Sequence, residues 1–196
     1  LDREPNQLKK SIGIVPQEFN FNIFETVENI VRQQAGYYGM THKEARKRTQ
    51  ECLSLLSLWD RRNDMSRNLS GGMKRRLMMA RALIHNPKVL ILDEPTAGVD
   101  IEIRHGIWKI LTQLNESGVT IILTTHYLEE VEQLCRKVAI IDHGKIVSDT
   151  SLKELLTKIH NHTFLLNVSS ALKNIPVDTP FGFRQIDTDV LEVDVP

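Results

Sequence analysis

The sequence predicts an α/β fold built on a largely parallel sheet. Two observations carry the prediction. Residues 89–92 (VLIL) and 119–125 (VTIILTT) are short apolar runs of the kind buried on both faces of a parallel sheet. Around them lie segments whose apolar residues recur at helical spacing, and strands that alternate with helices assemble into parallel sheets covered by crossover helices.

Each element follows from local pattern. Residues 11–15 (SIGIV) are a β-branched run stopped by Pro16, a short buried strand. From 25 to about 38, Val27, Ile30, Val31 and Gln34 fall at i, i+3, i+4 and i+7, which predicts a helix. Thr41, with Glu44 three residues later, writes a capping box. The helix it opens carries Ala45, Cys52, Leu53, Leu55 and Leu56 and ends near Leu58. Residues 61–68 are polar and read as a loop. Ser70 caps a helix that runs to about His85 and stops at Asn86-Pro87. The strand at 89–92 follows. Residues 101–116 are helical with Gly118 just beyond, 119–125 is a second buried strand, and 127–135 is a helix. Residues 138–141 and 145–147 are short strands around the hairpin-like turn Asp142-His143-Gly144. The two consecutive helices between about 25 and 58 form a helical insertion in this scheme.

After Thr150 the pattern changes. A helix over 152–159 and alternating strands over 163–168 and 190–195 suggest a small α+β tail. The organisation predicted is residues 1–150 as one domain, with a helical subdomain at about 18–85 and a core from 1–17 and 86–150. An appendage at 151–196 follows.

Composition narrows the function classes. The chain has 196 residues, with 25 Lys plus Arg against 25 Asp plus Glu, so it carries no formal net charge. That balance argues against a nucleic-acid binder held by bulk charge. No apolar run approaches the roughly 18–20 residues that span a bilayer. Cys52 and Cys135 stand outside any metal-ligand spacing and read as two reduced thiols on helix faces. The opening LDREPNQLKK has no signal-peptide pattern and begins with Leu, which raises the expectation of a longer chain upstream.

Two motifs carry chemistry. Asp93 and Glu94 close the strand at 89–92, and ligands of open α/β sheets bind beyond the carboxyl ends of the strands. Adjacent carboxylates there suit Mg²⁺ on a nucleotide, with Asp93 holding the ion and Glu94 left to polarise an attacking water. A strand ending in solvated acids would look the same, so this motif leaves both readings open. Ser70-Gly71-Gly72 opens a helix, where free N–H groups favour an anion and glycine lets it approach the backbone. A plain capped helix is the alternative there. Lys74, Arg75, Arg76 and Arg81 on the same helix read as a solvated face with helix salt bridges.

Taken in order, these motifs resemble the ATP-binding subunits of ABC transporters. Leu69-Ser70-Gly71-Gly72 resembles the family signature, and residues 89–94 the Walker B strand with its glutamate. Ala97-Gly98-Val99-Asp100 is similar to the D-loop, His126 to the switch histidine, and Gln17 to the Q-loop glutamine. The wording around the motifs, such as TTHYLEEVEQLCRKVAIID, resembles ATPases of ABC-2 type exporters of bacteria. The resemblance implies a P-loop-NTPase-like ABC ATPase core with a helical subdomain, and ATP and Mg²⁺ as ligands. It implies Glu94, His126 and Gln17 as catalytic residues, and Ser70, Gly71, Gly72, Asp93 and Asp100 at the nucleotide. Asp93 and Gln17 would serve the metal.

It further implies a head-to-tail dimer in which Ser70, Gly71 and Gly72 face the partner's ATP. An ABC-2 type permease would be the membrane partner, on the cytoplasmic face of the bacterial inner membrane, with no nucleic acid involved. Residues 19–38 would receive a helix of that permease, with Phe24 in the core and Phe19 or Phe21 nearer the partner. Trp59 and Trp108 read as packing residues. The string GxxxxGK[ST] does not occur in these residues. The expectation drawn from this is an ABC subunit lacking its N-terminal Walker A portion, a truncated chain unable to hydrolyse ATP alone. The alternatives are a soluble ABC protein acting on ribosome or DNA, or a degenerate, non-hydrolytic ABC half.

Overall fold

The structure, a computed structural model, describes residues 5–159, 162–167, 182–187 and 190–195, with side chains over 8–157. The chain divides into two compact units, Leu1–Leu134 and Cys135–Pro196. The first unit runs α1 (Pro5–Ser11), β1 (Ile12–Val15), α2 (Val27–Tyr37), α3 (His42–Leu55) and α4 (Gly71–Leu83). It continues with β2 (Val89–Asp93), α5 (Ile101–Glu116), β3 (Thr120–Thr124) and α6 (Leu128–Leu134). The three strands form one parallel sheet in the order β1-β2-β3. Val15 pairs with Leu92 and Asp93 with Thr124, so the three carboxyl ends finish almost level. That alignment positions the site.

The inserted helices α2 and α3 pack with α4, and the core runs through them. Val27, Ile30, Val31 and Ala35 come from α2, Cys52 and Leu53 from α3, and Leu77, Met79 and Leu83 from α4, all buried. Each such large side chain stabilises the fold by about 1.5–3 kcal/mol relative to exposure. The capping box at α3 forms as predicted: Glu44 N–H donates to Thr41 Oγ1, and Thr41 N–H donates to Glu44 Oε2 at 3.0 Å. Hydrogen bonds from Thr41 hold the Glu44 carboxyl below its ordinary value. Burial pushes the Cys52 thiol up to about 11, which keeps it inert. Sheet and helix layers meet closely at Gly13, where a Cβ would lie 2.5 Å from the Ala82 carbonyl oxygen of α4.

Several expectations change. Residues 5–11 form a helix that the sequence reading left unassigned. The predicted loop at 61–68 contains a 3₁₀ turn at Ser66–Asn68, and another at Trp59–Arg61 leads into it. β3 is not a strand buried on both faces. It is the edge of the described sheet, hydrogen-bonded on one side only, and Ile122 is 53% exposed. In β2, Leu90 and Leu92 are fully buried while Val89 and Ile91 are half-buried. Cys135 lies just past the end of α6 rather than on it.

The second unit contains β4 (Lys137–Asp142) and β5 (Lys145–Ser151), an antiparallel pair, followed by α7 (Leu152–Ile159). His143 and Gly144 both adopt positive φ, +45° and +76°, the conformation a two-residue hairpin turn requires. A separate antiparallel sheet joins β6 (His162–Asn167), β7 (Gly182–Asp187) and β8 (Val190–Val195) in the order β6-β8-β7. β7 was not foreseen. The expected half-burial of β6 and β8 lies outside the described side chains, as does residue 168.

Candidate active site

The level strand ends gather the predicted residues from three separate stretches of chain. Gln17 lies two residues past β1, Asp93 and Glu94 close β2, and His126 lies two residues past β3. Asp93 is exposed and its Oδ1 accepts a hydrogen bond from the Thr124 hydroxyl. The Glu94 N–H donates to the Thr124 carbonyl and to its Oγ1, each at 3.1 Å. Thr124 therefore bolts both acids to the end of β3. Glu94 sits at φ +46°, a left-handed conformation that costs a non-glycine residue about 1–2 kcal/mol. Such strain concentrates at functional sites.

Glu94 and His126 meet directly. His126 Nδ1 lies 3.0 Å from Glu94 Oε1. A carboxylate only accepts, so Nδ1 carries the proton of this bond and Nε2 remains for another partner. The Tyr127 ring lies 4.1 Å from the imidazole, and the Arg104 guanidinium stands 4.4 Å from the Tyr127 ring centroid.

Of the signature residues, Gly71 lines a cavity of about 360 Å³ together with Gln17, Phe19, Arg75 and Gly98, among others. Ser70 occupies the N-cap of α4 with extended backbone, and its Oγ accepts from the Met73 N–H at 3.3 Å. Its hydroxyl proton remains available to a ligand. The two glycines differ. Space is open around Gly71, while a Cβ on Gly72 would lie 2.7 Å from Ile103 Cγ2. Gly72 thus lets α5 approach α4. Asp100 occupies the N-cap position of α5 but makes no side-chain capping bond.

The three arginines of α4 are not a solvated face. Arg75 is 4% exposed; its Nη1 donates to the Pro16 carbonyl at 3.0 Å, and its guanidinium stands 5.4 Å from the Phe19 ring centroid. Burial lowers its pKa, and the nearby Asp93 and Glu94 carboxylates oppose that shift. Arg76 donates to the Leu56 carbonyl, and Arg81 to Asn20 and to the Gln34 side chain. Sequence reasoning missed Arg75. The run Leu77-Met78-Met79-Ala80 was the available signal, because four consecutive apolar residues leave no solvated side on that turn of the helix.

The aromatic expectation also changes. Phe24 is 64% exposed, with Arg67 stacked over it, whereas Phe21 packs against the core. Phe19 is exposed. Trp59 packs against the core, and Trp108 is buried. A larger groove of about 630 Å³, with Asn20, Gln34, Tyr37, Tyr38 and Arg81 on its wall, opens beside β1. Among the described residues no cluster of three or more His, Cys, Asp or Glu could hold a metal alone, and no helix is long and apolar enough to cross a membrane.

Comparisons with known proteins agree with this geometry. The ABC transporter family model matches residues 1–97. The linearmycin resistance ATP-binding protein of Bacillus subtilis (strain 168) is 40% identical over 165 residues, covering 84% of this chain and 53% of that protein. The Nod factor export ATP-binding protein I of Cupriavidus pinatubonensis is 42% identical over 156 residues, covering 79% and 47%. The chain spans about half the length of the curated relatives it matches. A dimeric ATP-binding cassette in a post-hydrolysis state, bound to ADP and Pi, aligns with a TM-score of 0.68 at 29% identity, over 77% of this chain and 68% of that one. The cbiO1 protein of Clostridium perfringens, part of an ABC transporter complex, aligns with a TM-score of 0.70 at 33% identity, over 78% and 62%.

These findings correct one expectation. The absence of GxxxxGK[ST] suggested a chain set apart by a lost Walker A portion, truncated and unable to hydrolyse ATP alone. The family model matches from residue 1, and the fold aligns with an ADP-bound cassette over most of the chain. The missing string therefore does not set this chain apart, and that reading is withdrawn. The parallel core, the inserted helices and the strand-end acids agree with the comparisons: the chain carries the α/β core of an ABC-type ATPase.

Proposed function

We propose that this chain is an ATP-binding and ATP-hydrolysing domain of the kind that drives export across a membrane. The observation that carries the reading is the Glu94–His126 pair, 3.0 Å apart at the carboxyl ends of β2 and β3. Glu94 acts as general base: its carboxylate takes a proton from water as the water oxygen attacks the γ-phosphorus, and the bond to the ADP oxygen breaks. His126 fixes the Glu94 carboxylate through Nδ1–H, and Nε2, when protonated, donates to the γ-phosphate. Gln17 senses that phosphate from the end of β1. Ser70, Gly71 and Gly72 offer the N-terminus of α4 to nucleotide held by a second ABC domain, and Asp100 bridges the two domains.

Mg²⁺ fits this set, because it prefers one or two carboxylates with waters and phosphate oxygens over an all-protein cage. Asp93 would hold it, with Gln17 nearby, and the ion would neutralise charge on the β- and γ-phosphates. Asp93 is exposed and its orientation is fixed by Thr124, which suits that task.

The partners follow from the same reading: a second copy of the domain, head to tail, and an ABC-2 type permease. The latter docks at the groove beside β1, where Tyr37 is 85% and Ile14 63% exposed. A short apolar helix fits such a groove. The domain then sits peripherally at the cytoplasmic face of a bacterial inner membrane. The names of the curated relatives, a resistance protein and Nod factor exporters, support export as the process.

The test is ATP turnover of the protein and its variants. Glu94→Gln is expected to lower kcat by at least about 100-fold, the lower end of the range for removing a general base. His126→Ala is expected to lower it by at least about tenfold. Glu94→Gln turnover near that of wild type would overturn the role of Glu94 as base.

A further inference from the structure

A buried carboxylate outside the predicted site joins the two loops that carry Glu94 and His126. Glu130, on α6, is fully buried. Its Oε1 accepts two hydrogen bonds, from the Thr96 hydroxyl at 3.0 Å and from the Trp108 indole Nε1–H at 2.9 Å. Thr96 is itself fully buried and Trp108 is 6% exposed. Oε2 is enclosed without a partner. A buried carboxylate is costly to desolvate, so what its bonds do calls for an account.

The placement says what that is. Thr96 lies two residues past Glu94, inside the turn closed by the Ala97 N–H to Glu94 carbonyl bond at 3.2 Å. Glu130 lies four residues past His126, in the first turn of α6, where its N–H bonds the Tyr127 carbonyl. Trp108 brings in α5 as a third wall. The bases of the two loops are thus tied through one carboxylate oxygen, and the loop tips hold the pair that meets at 3.0 Å. Thr124 ties Glu94 to the end of β3; Glu130 adds a buried tie further along both loops, whereas Arg104 to Glu129 spans 3.8 Å with Glu129 largely exposed.

We propose that Glu130 is a positioning residue, which through Thr96 sets the distance and angle of the Glu94–His126 pair. The proposal rests on the catalytic reading of that pair. Its consequence is asymmetric. The Thr96 bond carries the positioning, whereas the Trp108 bond anchors Glu130 and fills space.

The experiment compares Thr96→Val, Trp108→Phe, Glu130→Gln and Glu130→Leu in the whole chain by two readouts. The first is NMR at fixed pH, following the His126 ring resonances, assigned by their loss in His126→Asn, and the Glu94 backbone amide. Thr96→Val is expected to shift both, although neither touches the altered side chain, while Trp108→Phe leaves them near their wild-type positions. The second is ATP turnover. Thr96→Val and Glu130→Leu are expected to lower kcat at least tenfold with KM within twofold. Glu130→Gln keeps an acceptor oxygen for both donors and is expected to retain at least a third of wild-type kcat, and Trp108→Phe likewise. Unmoved His126 and Glu94 resonances in folded Thr96→Val overturn the positioning role whatever the turnover. Wild-type protein that hydrolyses no ATP overturns the catalytic reading instead, and the NMR comparison still decides the geometry.

Discussion

Two adjacent glycines at the start of α4 separate folding from function at the scale of single residues. A Cβ on Gly72 would press into Ile103, so Gly72→Ala is expected to cost about 1–3 kcal/mol, as overpacking does. Gly71 has open space around it, and an aspartate in the first turn of a helix suits the helix dipole. Gly71→Asp is therefore expected to change stability by less than about 0.5 kcal/mol, the usual range for a surface site. It should nonetheless abolish ATP-dependent association, because its carboxylate would face the phosphates. Denaturant midpoints with and without ATP, and sedimentation of each variant, check the pair. The sequence could place Ser70, Gly71 and Gly72 together but could not tell them apart, because the difference lies in Ile103, about thirty residues away. Glu94 and His126 were legible because each closes an apolar run. Glu130 was not, because one of three glutamates on a short helix looks solvated until its neighbours are known.

Among the elements, the end of α4 holds a group that responds to pH. His85 stacks on Tyr38 with ring centroids 3.8 Å apart, and its Nε2–H donates to the Ile12 carbonyl at 3.0 Å. Burial lowers its pKa below 6.5, opposed by the bond to Ile12 and helped by Arg48. The unfolded chain therefore binds this proton more readily than the folded one. The contribution to stability is full above the ordinary histidine value and is lost as pH falls from about 6.5 through the depressed value. Chemical denaturation of wild type at pH 7.5 and 5.0 is expected to show a fall in midpoint that is smaller in His85→Gln. An equal fall in both would remove His85 as its source. Helices with capping signals, such as α3 behind Thr41 and α4 behind Ser70, were legible nearly to their first residue. α1 was not, since PNQLKKS has no apolar stripe to mark a helix. β3 read as buried because Ile121, Ile122 and Leu123 are uniformly apolar, and composition cannot say how many strands flank an edge.

For the molecule as a whole, the proposed head-to-tail pairing around ATP predicts a change of mass. The protein with Glu94→Gln is expected to run as a dimer in ATP and Mg²⁺ and as a monomer with ADP, by light scattering at micromolar concentration. A monomer in both conditions would remove the head-to-tail arrangement. The parallel core was legible as a class because each strand is local, but its order was not, since β1 pairs with a strand beyond the entire helical insertion. That pairing has a consequence for biosynthesis. Ile12 leaves the ribosome long before its partner Val89 is made. At about 5–20 residues per second, β1 waits roughly 4–15 s with its backbone unpaired while α2, α3 and α4 are translated. α4 packs against β1 at Gly13 and is complete just before β2 begins, so the helix can cover one face of the waiting strand. Slowing translation between Leu83 and Val89 would lengthen the protected interval, and slowing it before Gly71 would lengthen the exposed one.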